Sequence, residues 1–157
     1  ERVYWKNYKV GGTPQTALSA GLDYRSRRNL FLGVDVGWYD ALYIDMNPLY
    51  RTDYAHVGLT NEQSQAMAHQ EMFPSAFLLN ANIGKSWYIH RKYNLGFSLE
   101  VKNLLNRQNI KTGGYEQMRL KKVEDPATGE VDHYSPFPSK YFYLFGTTYY
   151  LNLYFRF

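Results

Sequence analysis

Hydrophobic and polar positions alternate along most of this chain, and the alternation is clearest over residues 141–157. Odd positions there are mostly apolar or aromatic, among them Leu151 and Leu153, whereas even positions such as Asn152 are polar, small or mixed. Successive side chains of a β-strand point to opposite faces, so a period of two predicts a strand with one apolar face. The segment is longer than the roughly 5–6 residues usual for strands of soluble sheets.

Four earlier segments show the same alternation and predict four further strands, over residues 13–25, 29–45, 75–89 and 93–106. The connections alternate in length, because residues 25–29 and 89–93 form short turns whereas residues 46–74 and 107–140 form long loops. Short turns at one rim and long loops at the other are typical of bacterial outer-membrane β-barrels. In that layout the short turns are periplasmic and the long loops are extracellular.

The spacing of aromatic residues favours strands that cross a membrane. Phe77 and Trp87 lie ten residues apart on one face, and Phe145 and Phe155 have the same separation. A tilted strand crosses the hydrocarbon layer in about 9–11 residues, so aromatic girdles at the two interfaces produce this spacing. A helical membrane protein is excluded, because no apolar run approaches the roughly 20 residues that a spanning helix needs.

Composition narrows the classes of protein further. Aromatic residues make up 18% of the chain and charged residues 20%, and there is no cysteine, which excludes a disulfide framework and a zinc–thiolate site. The net charge of +4 is modest. The basic clusters Arg25–Arg28 and His90–Lys92 fall in the predicted turns, where solvated charges are expected rather than a nucleic-acid site. No nucleic-acid partner and no cofactor is expected.

Both long loops contain signals for local structure. Thr60 and Gln63 fit a capping box and predict a short helix within residues 46–74. The sequence from Asp125 to Gly129 is a strong turn signal, so residues 118–124 are expected to pair with residues 130–134 as a projecting hairpin. Long ordered loops in barrels often serve binding.

The number of strands implies that other strands complete the sheet. Five is an odd number, roughly eight strands make the smallest single-chain membrane barrel, and an open sheet edge is not tolerated in lipid. We therefore interpret residues 1–157 as the C-terminal part of an outer-membrane β-barrel. The absence of an initiator Met and a signal peptide favours a missing amino-terminal part. Residues 1–12 are expected to form an extracellular loop.

Candidate ligand-binding residues are the tyrosines and arginines of the long loops, because these residue types concentrate binding energy. They are Tyr50, Arg51, Tyr54, Tyr115, Arg119 and Tyr134. No catalytic site is expected, since the charged residues on the strands, Asp23, Asp35, Glu100 and Lys102, are explained as polar groups facing the barrel lumen. The four histidines lack the spacing of metal ligands.

Several stretches resemble TonB-dependent outer-membrane receptors. The stretch Leu99–Asn106, followed by Gly113-Gly114-Tyr115, is similar to the penultimate-strand region of that family. The closing residues 150–157 resemble the family's last strand, and their Phe155 and Phe157 resemble the signal that the barrel-assembly machinery reads. Residues 11–15 and 48–52 look like the Bacteroidetes-type members with a carboxypeptidase-regulatory-like amino-terminal domain.

The resemblance implies a particular fold, location and activity. It implies that the strands are the last five of a barrel of about 22 strands, plugged by an amino-terminal domain. The implied activity is active import of a siderophore, cobalamin, glycan or peptide across the bacterial outer membrane. The implied partners are outer-membrane lipid, the remaining strands and plug, TonB acting through that missing part, the barrel-assembly machinery and a surface lipoprotein.

Two other classes of protein share some of these features. A passive porin or a barrel enzyme would have the same wall, with an open lumen or a nucleophile–base pair. A soluble β-sandwich or a lipocalin-like binding module would have strands that alternate equally well, although its strands would be shorter.

Overall fold

A computed structural model describes residues 2–90 and 92–157, so that Glu1 and Arg91, which belong to the predicted first loop and second basic cluster, lie outside the described residues. The fold is all-β, with antiparallel sheets and little helix. The strands are β1 (Thr16–Arg25), β2 (Leu30–Asp40), β3 (Leu42–Tyr43), β4 (Met72–Phe73), β5 (Ala76–Ile89), β6 (Tyr93–Lys102), β7 (Lys111–Tyr115), β8 (Leu120–Glu124), β9 (Val131–Pro136), β10 (Lys140–Tyr143) and β11 (Thr148–Arg156). The helical segments are the 3₁₀ helices Pro48–Arg51 and Asp53–His56 and the α-helix α1 (Asn61–Ala68).

The chain divides into two compact units. The sheet unit consists of residues 16–40, 75–110 and 143–157, and the loop unit consists of the residues before 16 together with residues 41–74 and 111–142. Each unit is therefore assembled from segments that are distant in sequence. Among the described residues, no helix is long and apolar enough to cross a membrane.

The sheet unit is one five-stranded sheet in the order β1-β2-β5-β6-β11. Every neighbouring pair is antiparallel, and β1 and β11 form its two edges. The register aligns apolar residues from all five strands on one face, as in the row Leu22, Val34, Ala81, Val101 and Tyr149. The alternation in the sequence therefore becomes a continuous apolar face.

This apolar face is exposed. Leu22 is 83% exposed, Leu153 is 70% exposed and Trp87 is 42% exposed. The buried hydrophobic residues found in residues 2–90 and 92–157 all lie in the loop unit, and they are Ile44, Tyr50, Ala55, Met67 and Phe73. The described part of the sheet unit thus presents its hydrophobic side chains without a core of its own.

The opposite face of the sheet carries polar residues, glycines and aromatic rings that cover the glycines. The ring of Phe31 lies over Gly84, and the ring of Tyr154 lies over Gly96. Both glycines are buried, although the surrounding sheet is not. Glycine in the interior of a strand often marks such a close approach, because a Cβ would occupy the space that the ring takes.

We expect Gly84→Ala to lower the free energy of unfolding by about 1–3 kcal/mol, the usual cost of overpacking. Its Cβ would collide with the Phe31 ring and lie 2.8 Å from the backbone oxygen of Phe97. Gly21→Ala is the matched control, because its Cβ would lie 3.5 Å from the nearest atom, which is ordinary contact. Denaturant unfolding in detergent measures both, and equal stability of the two variants would contradict this packing.

Two predicted strands end earlier or break because asparagine side chains redirect the chain. The strand predicted over residues 93–106 ends at Lys102, since Asn103 and Asn106 have φ values of 52° and 50°. The side chain of Asn103 donates to the backbone oxygen of Phe145 at 2.9 Å, and Asn106 accepts from the amide of Thr147 at 3.1 Å. These bonds hold residues 145–147 outside the ladder, so the predicted strand 141–157 is divided into β10 and β11.

The two amino-terminal strands also differ from their predicted bounds. The strand predicted over residues 29–45 is interrupted at Ala41, which has a φ of 52°, so that β2 ends at Asp40 and β3 belongs to the loop unit. The first strand begins at Thr16 rather than at residue 13.

The predicted local structures of the long loops are confirmed. Helix α1 starts from a capping box in which Thr60 and Gln63 bond reciprocally, and it ends at Ala68 because His69 is extended. Strands β8 and β9 pair as the expected hairpin, with an irregularity between Val123 and Glu124. The loop unit also contains the two-stranded sheets β3–β4 and β7–β10.

Candidate ligand-binding surface of the loop unit

Arg51 lies at the centre of the loop unit and is 2% exposed. Its guanidinium forms a bidentate pair with Glu116, in which Nη2 donates to Oε1 at 2.9 Å and Nη1 donates to Oε2. It also donates to the hydroxyl of Tyr8 at 3.1 Å and to the backbone oxygens of Asn47 and Ala68 at 3.0 and 3.2 Å. Every nitrogen of the guanidinium therefore has a partner within the loop unit.

The electrostatics of this site keep its cation charged. Burial alone would lower the pKa of Arg51, but the hydrogen bonds that its guanidinium donates to Glu116 and Tyr8 outweigh this effect, and the pKa is raised. The pKa of Tyr50 is raised mainly by burial and then by the charge of Glu116. Arg51 thus stays cationic and Tyr50 stays neutral across the ordinary pH range.

The backbone of this region is held by caps and by the same acidic residue. Asn47 precedes the first 3₁₀ helix, and its side chain accepts from the amide of Leu49 at 3.0 Å. The amide of Asn47 donates to Glu116 Oε2 at 2.7 Å. Since Glu116 bonds to both Arg51 and Asn47, it ties residues 47–51 to the segment that follows β7.

Two adjoining cavities form a groove between α1 and the segment 133–139, which we name the loop groove. Ala66, Met67 and Pro136 line both cavities, whose volumes are about 260 and 410 Å³. The smaller cavity adds Leu59, Gln63, His133, Tyr134 and Ser135, and the larger adds Tyr50, His69, Glu71, Glu116, Phe137, Pro138 and Ser139. The larger of the two volumes lies within the range of about 300–1,000 Å³ that is usual for ligand pockets.

A charged cluster lies at the larger cavity. Glu71 Oε1 accepts from the ammonium of Lys111 at 2.8 Å, and the hydroxyl of Tyr141 donates to Glu71 Oε2 at 2.7 Å. The ammonium of Lys111 also lies 3.6 Å from the centroid of the Tyr141 ring. The hydrogen bond with Glu71, followed by burial, raises the pKa of Tyr141, so its phenol stays protonated and remains a donor.

The structure divides the predicted ligand-binding residues into buried and exposed members. Tyr50 and Arg51 were expected to be presented by the loop, but they are 3% and 2% exposed and belong to the interior, because Glu116 and α1 enclose them. Tyr54 is 47% exposed, and its ring lies 4.6 Å from that of Tyr134, which lines the loop groove.

The other two candidates lie apart from that aromatic pair. The guanidinium of Arg119 lies 4.3 Å over the ring of Phe137 and donates to the side chain of Gln117 at 2.9 Å. Tyr115 is 44% exposed, and its ring lies 6.0 Å from that of Phe142. Arg119 is thus near the loop groove through Phe137, whereas Tyr115 contributes to a separate aromatic contact.

Two of the four histidines have side-chain hydrogen-bonding partners close in the sequence. His56 Nε2 lies 2.8 Å from the backbone oxygen of Tyr50, and His133 Nδ1 lies 2.8 Å from Asp132. Within the described ranges 2–90 and 92–157, no group of three or more His, Cys, Asp or Glu residues is placed to hold a metal ion.

The predicted assembly signal lies at the end of the sheet unit. Phe155 is 57% exposed and stacks on Tyr93 with ring centroids 5.8 Å apart, and Phe157 is 94% exposed. No family model, curated protein or solved structure matches this chain. The similarity to TonB-dependent receptors therefore rests on the sequence stretches described above.

The sequence did not indicate several residues that build this surface. Glu116 was missed because its partner Arg51 is 65 residues away and no local pattern joins them. Tyr8 and Met67 were missed for the same reason. Phe137 had a visible signal, because it is an aromatic residue between two prolines in a loop, Pro136 and Pro138.

Proposed function

We propose that this chain is part of a TonB-dependent outer-membrane receptor that imports a scarce nutrient, namely a siderophore, cobalamin, a glycan or a peptide. In this proposal the sheet unit is barrel wall and the loop unit is extracellular. The observation that carries it is the exposed apolar face of a sheet unit whose described residues bury no hydrophobic side chain.

A bilayer explains that face better than water does. Leaving apolar area in water costs about 25 cal/mol per Å², and the exposed residues of this face run across all five strands. Large contiguous apolar patches on soluble proteins are rare, and they mark contact with protein or membrane. A soluble β-sandwich or lipocalin-like module would instead cover one face of the sheet with its own residues.

The polar face has the character of a barrel lumen. Asn80 donates to Asp35 at 2.7 Å, and Lys102 and Glu100 pair at 3.3 Å with exposed side chains. Outer-membrane barrels alternate an apolar lipid face with a polar interior. A passive porin would have the same barrel wall. The two functions therefore differ in whether uptake depends on the proton motive force, and not in the structure of the wall.

The loop groove and the aromatic pair Tyr54–Tyr134 are the proposed contacts with the ligand. Tyr54, Tyr134 and Arg119 are at least partly exposed, and all three lie in the loop unit. Tyrosine and arginine bind well because they combine apolar area with hydrogen-bonding groups. TonB would act on a plug that this sequence does not contain, a surface lipoprotein would meet the outer loops, and the assembly machinery would read Phe155 and Phe157.

Uptake by intact bacteria tests this proposal. A strain lacking the receptor is complemented with the native gene or with Tyr134→Ala, and uptake is measured for an iron–siderophore, cobalamin, an oligosaccharide and a peptide. We expect one ligand class to depend on the gene and on the proton motive force, and Tyr134→Ala to reduce its uptake roughly tenfold, a hot-spot loss of about 1.4 kcal/mol. Tyr88→Ala, which removes an exposed tyrosine of the sheet unit, is the control.

Two results would contradict the proposal. Gene-dependent uptake that persists after a protonophore collapses the proton motive force would favour a passive porin. Recovery of the protein as a detergent-free soluble monomer would favour the soluble binding module.

A further inference from the structure

The short-turn rim of the sheet unit is strongly basic. It comprises the β1–β2 turn, the β5–β6 turn and the strand ends beside them. Its cationic residues with described positions are Arg25, Arg27, Arg28, Lys85, Lys92 and Arg156. Of the four acidic residues of the sheet unit, Asp23 lies two residues before Arg25, whereas Asp35, Asp40 and Glu100 lie farther from the turns. No Asp or Glu occurs in residues 24–31, 84–98 or 152–157. This rim therefore concentrates six cations at described positions, and Asp23 is the acidic residue next to it in the sequence.

One of these cations lies on the apolar face itself. Lys85 pairs in register with Leu30 on β2 and Phe97 on β6, and Phe97 pairs with Leu153 on β11. Its ammonium lies 5.3 Å from the centroid of the Trp87 ring. Lysine at a membrane interface extends its charged end toward the headgroups while its stem stays apolar, so Lys85 and Trp87 mark the level of the lipid headgroups.

The turns bring further cations to the same level. The amide of Ser86 donates to the backbone oxygen of Asn29 at 3.1 Å, which places the β1–β2 turn, with Arg27 and Arg28, directly beside Lys85. In the β5–β6 turn the ammonium of Lys92 lies 5.4 Å from the centroid of the Tyr93 ring. The two turns are separated by two strand spacings across the sheet, roughly 10 Å, and by about four residues along the strands, a further offset of roughly 13 Å.

Resting on the proposed function, which makes this rim periplasmic, we infer that the rim binds the anionic headgroups of phospholipids in the inner leaflet of the outer membrane. Arg27, Arg28, Lys85 and Lys92 supply the charge, and Trp87 and Tyr93 supply the interfacial ring contacts. Clusters of Lys and Arg next to a membrane segment bind anionic lipid, because each cation near the surface adds attraction. Aromatic rings favour the same level of the bilayer.

Lipid retention tests the inference. The complete receptor is inserted into vesicles of phosphatidylcholine with or without phosphatidylglycerol, and insertion is scored by flotation. Lipid carried through detergent extraction is then counted by native mass spectrometry. We expect the native protein to retain phosphatidylglycerol over phosphatidylcholine. The triple variant Arg28→Gln, Lys85→Gln, Lys92→Gln should lose this preference, by roughly fivefold per charge removed at low ionic strength. The variant Lys121→Gln, Lys122→Gln, Lys140→Gln, which removes three exposed lysines of the loop unit, is the charge-matched control and should behave as native.

Each outcome has one meaning. Two results obtained with normally inserted protein would overturn the headgroup site and leave the barrel proposal intact. One is an equal loss of phosphatidylglycerol in the rim variant and the control variant. The other is the absence of any preference for phosphatidylglycerol in the native protein. Failure of the native protein to insert would overturn the proposed function itself. Inorganic phosphate can be added as a competitor that carries the same total charge as the phosphatidylglycerol. If it displaced all of the phosphatidylglycerol, the rim would bind free anions, and this result too would overturn the lipid site.

Discussion

Arg51→Met is expected to destabilise the loop unit by about 3–5 kcal/mol, the usual cost of leaving one member of a buried ion pair without its partner. Glu116 is 8% exposed. Without Arg51, its buried carboxylate would lose the cation and keep the hydrogen bond that the amide of Asn47 donates to it. The bonds from Arg51 to Tyr8 and to the backbone oxygen of Ala68 would also be lost. Segments 2–10, 47–56 and 111–119 should then open together.

Hydrogen exchange measured by mass spectrometry on the membrane-inserted receptor gives the size of this effect. We expect amides of residues 47–56 and 111–119 to exchange roughly a hundredfold or more faster, while amides of β5 and β6 are unchanged. Arg119→Met is the control, because Arg119 pairs with Gln117 near the surface. The double variant Arg51→Met, Glu116→Leu should recover much of the protection, since an apolar pair can replace a buried ion pair. Equal exchange in Arg51→Met and Arg119→Met would contradict the central role of this pair.

Leu153→Arg is expected to hinder insertion by about 2–4 kcal/mol, the cost of an arginine on the lipid face near the centre of the bilayer. Leu153 is 70% exposed on the apolar face, next to Phe97 in the register. The β1–β2 turn lies beside Ser86 whereas the β5–β6 turn follows Ile89, so the strands are staggered, as the strands of a tilted barrel are. Because of this stagger, we expect Leu153 to lie deeper in the bilayer than Lys85, although the two residues share a register row.

Asn152→Arg is the matched control for that substitution. Asn152 is the preceding residue of β11 and lies on the polar face, where it pairs with Ser98. The folded fraction of each variant in isolated outer membranes can be measured by the shift of the unheated protein in gel electrophoresis. Assembly of Leu153→Arg at the level of Asn152→Arg would show that the two faces are not lipid and lumen.

Sequence alone indicated the parts of the fold that depend on local patterns. The alternation of apolar and polar residues located the strands of the sheet unit, because the two faces of a strand differ in environment. The capping box of Thr60 and Gln63 located α1, because both of its hydrogen bonds join residues within one helical turn and are therefore visible as a local sequence pattern. The Asp125–Gly129 turn located the β8–β9 hairpin.

Features that depend on distant residues could not be predicted in this way. The break between β10 and β11 arises from Asn103 and Asn106, which are about forty residues earlier in the chain. The burial of Arg51 depends on Glu116, 65 residues later, so the position of this arginine inside the loop unit could not be predicted from its neighbours in the sequence. The periodicity of apolar residues predicts which face of the sheet a residue occupies. It does not predict which distant side chain interrupts the backbone hydrogen bonds between strands.

Cysteine accessibility in intact outer membranes tests the lipid-facing sheet most directly. The chain contains no cysteine, so single substitutions can report on neighbouring positions of opposite faces. Leu151→Cys and Leu99→Cys lie on the apolar face, and Asn152→Cys and Ser98→Cys are their matched partners on the polar face. Each variant is treated with a small charged thiol reagent and, separately, with a lipid-soluble maleimide.

We expect Asn152→Cys and Ser98→Cys to react with the charged reagent. Leu151→Cys and Leu99→Cys should react with the maleimide alone until the membrane is dissolved and the protein is unfolded. Alternation of reactivity along β11 and β6 would place one face of the sheet in lipid. Equal reaction of all four cysteines with the charged reagent in intact membranes would show that both faces of the sheet are in water and that neither face contacts lipid.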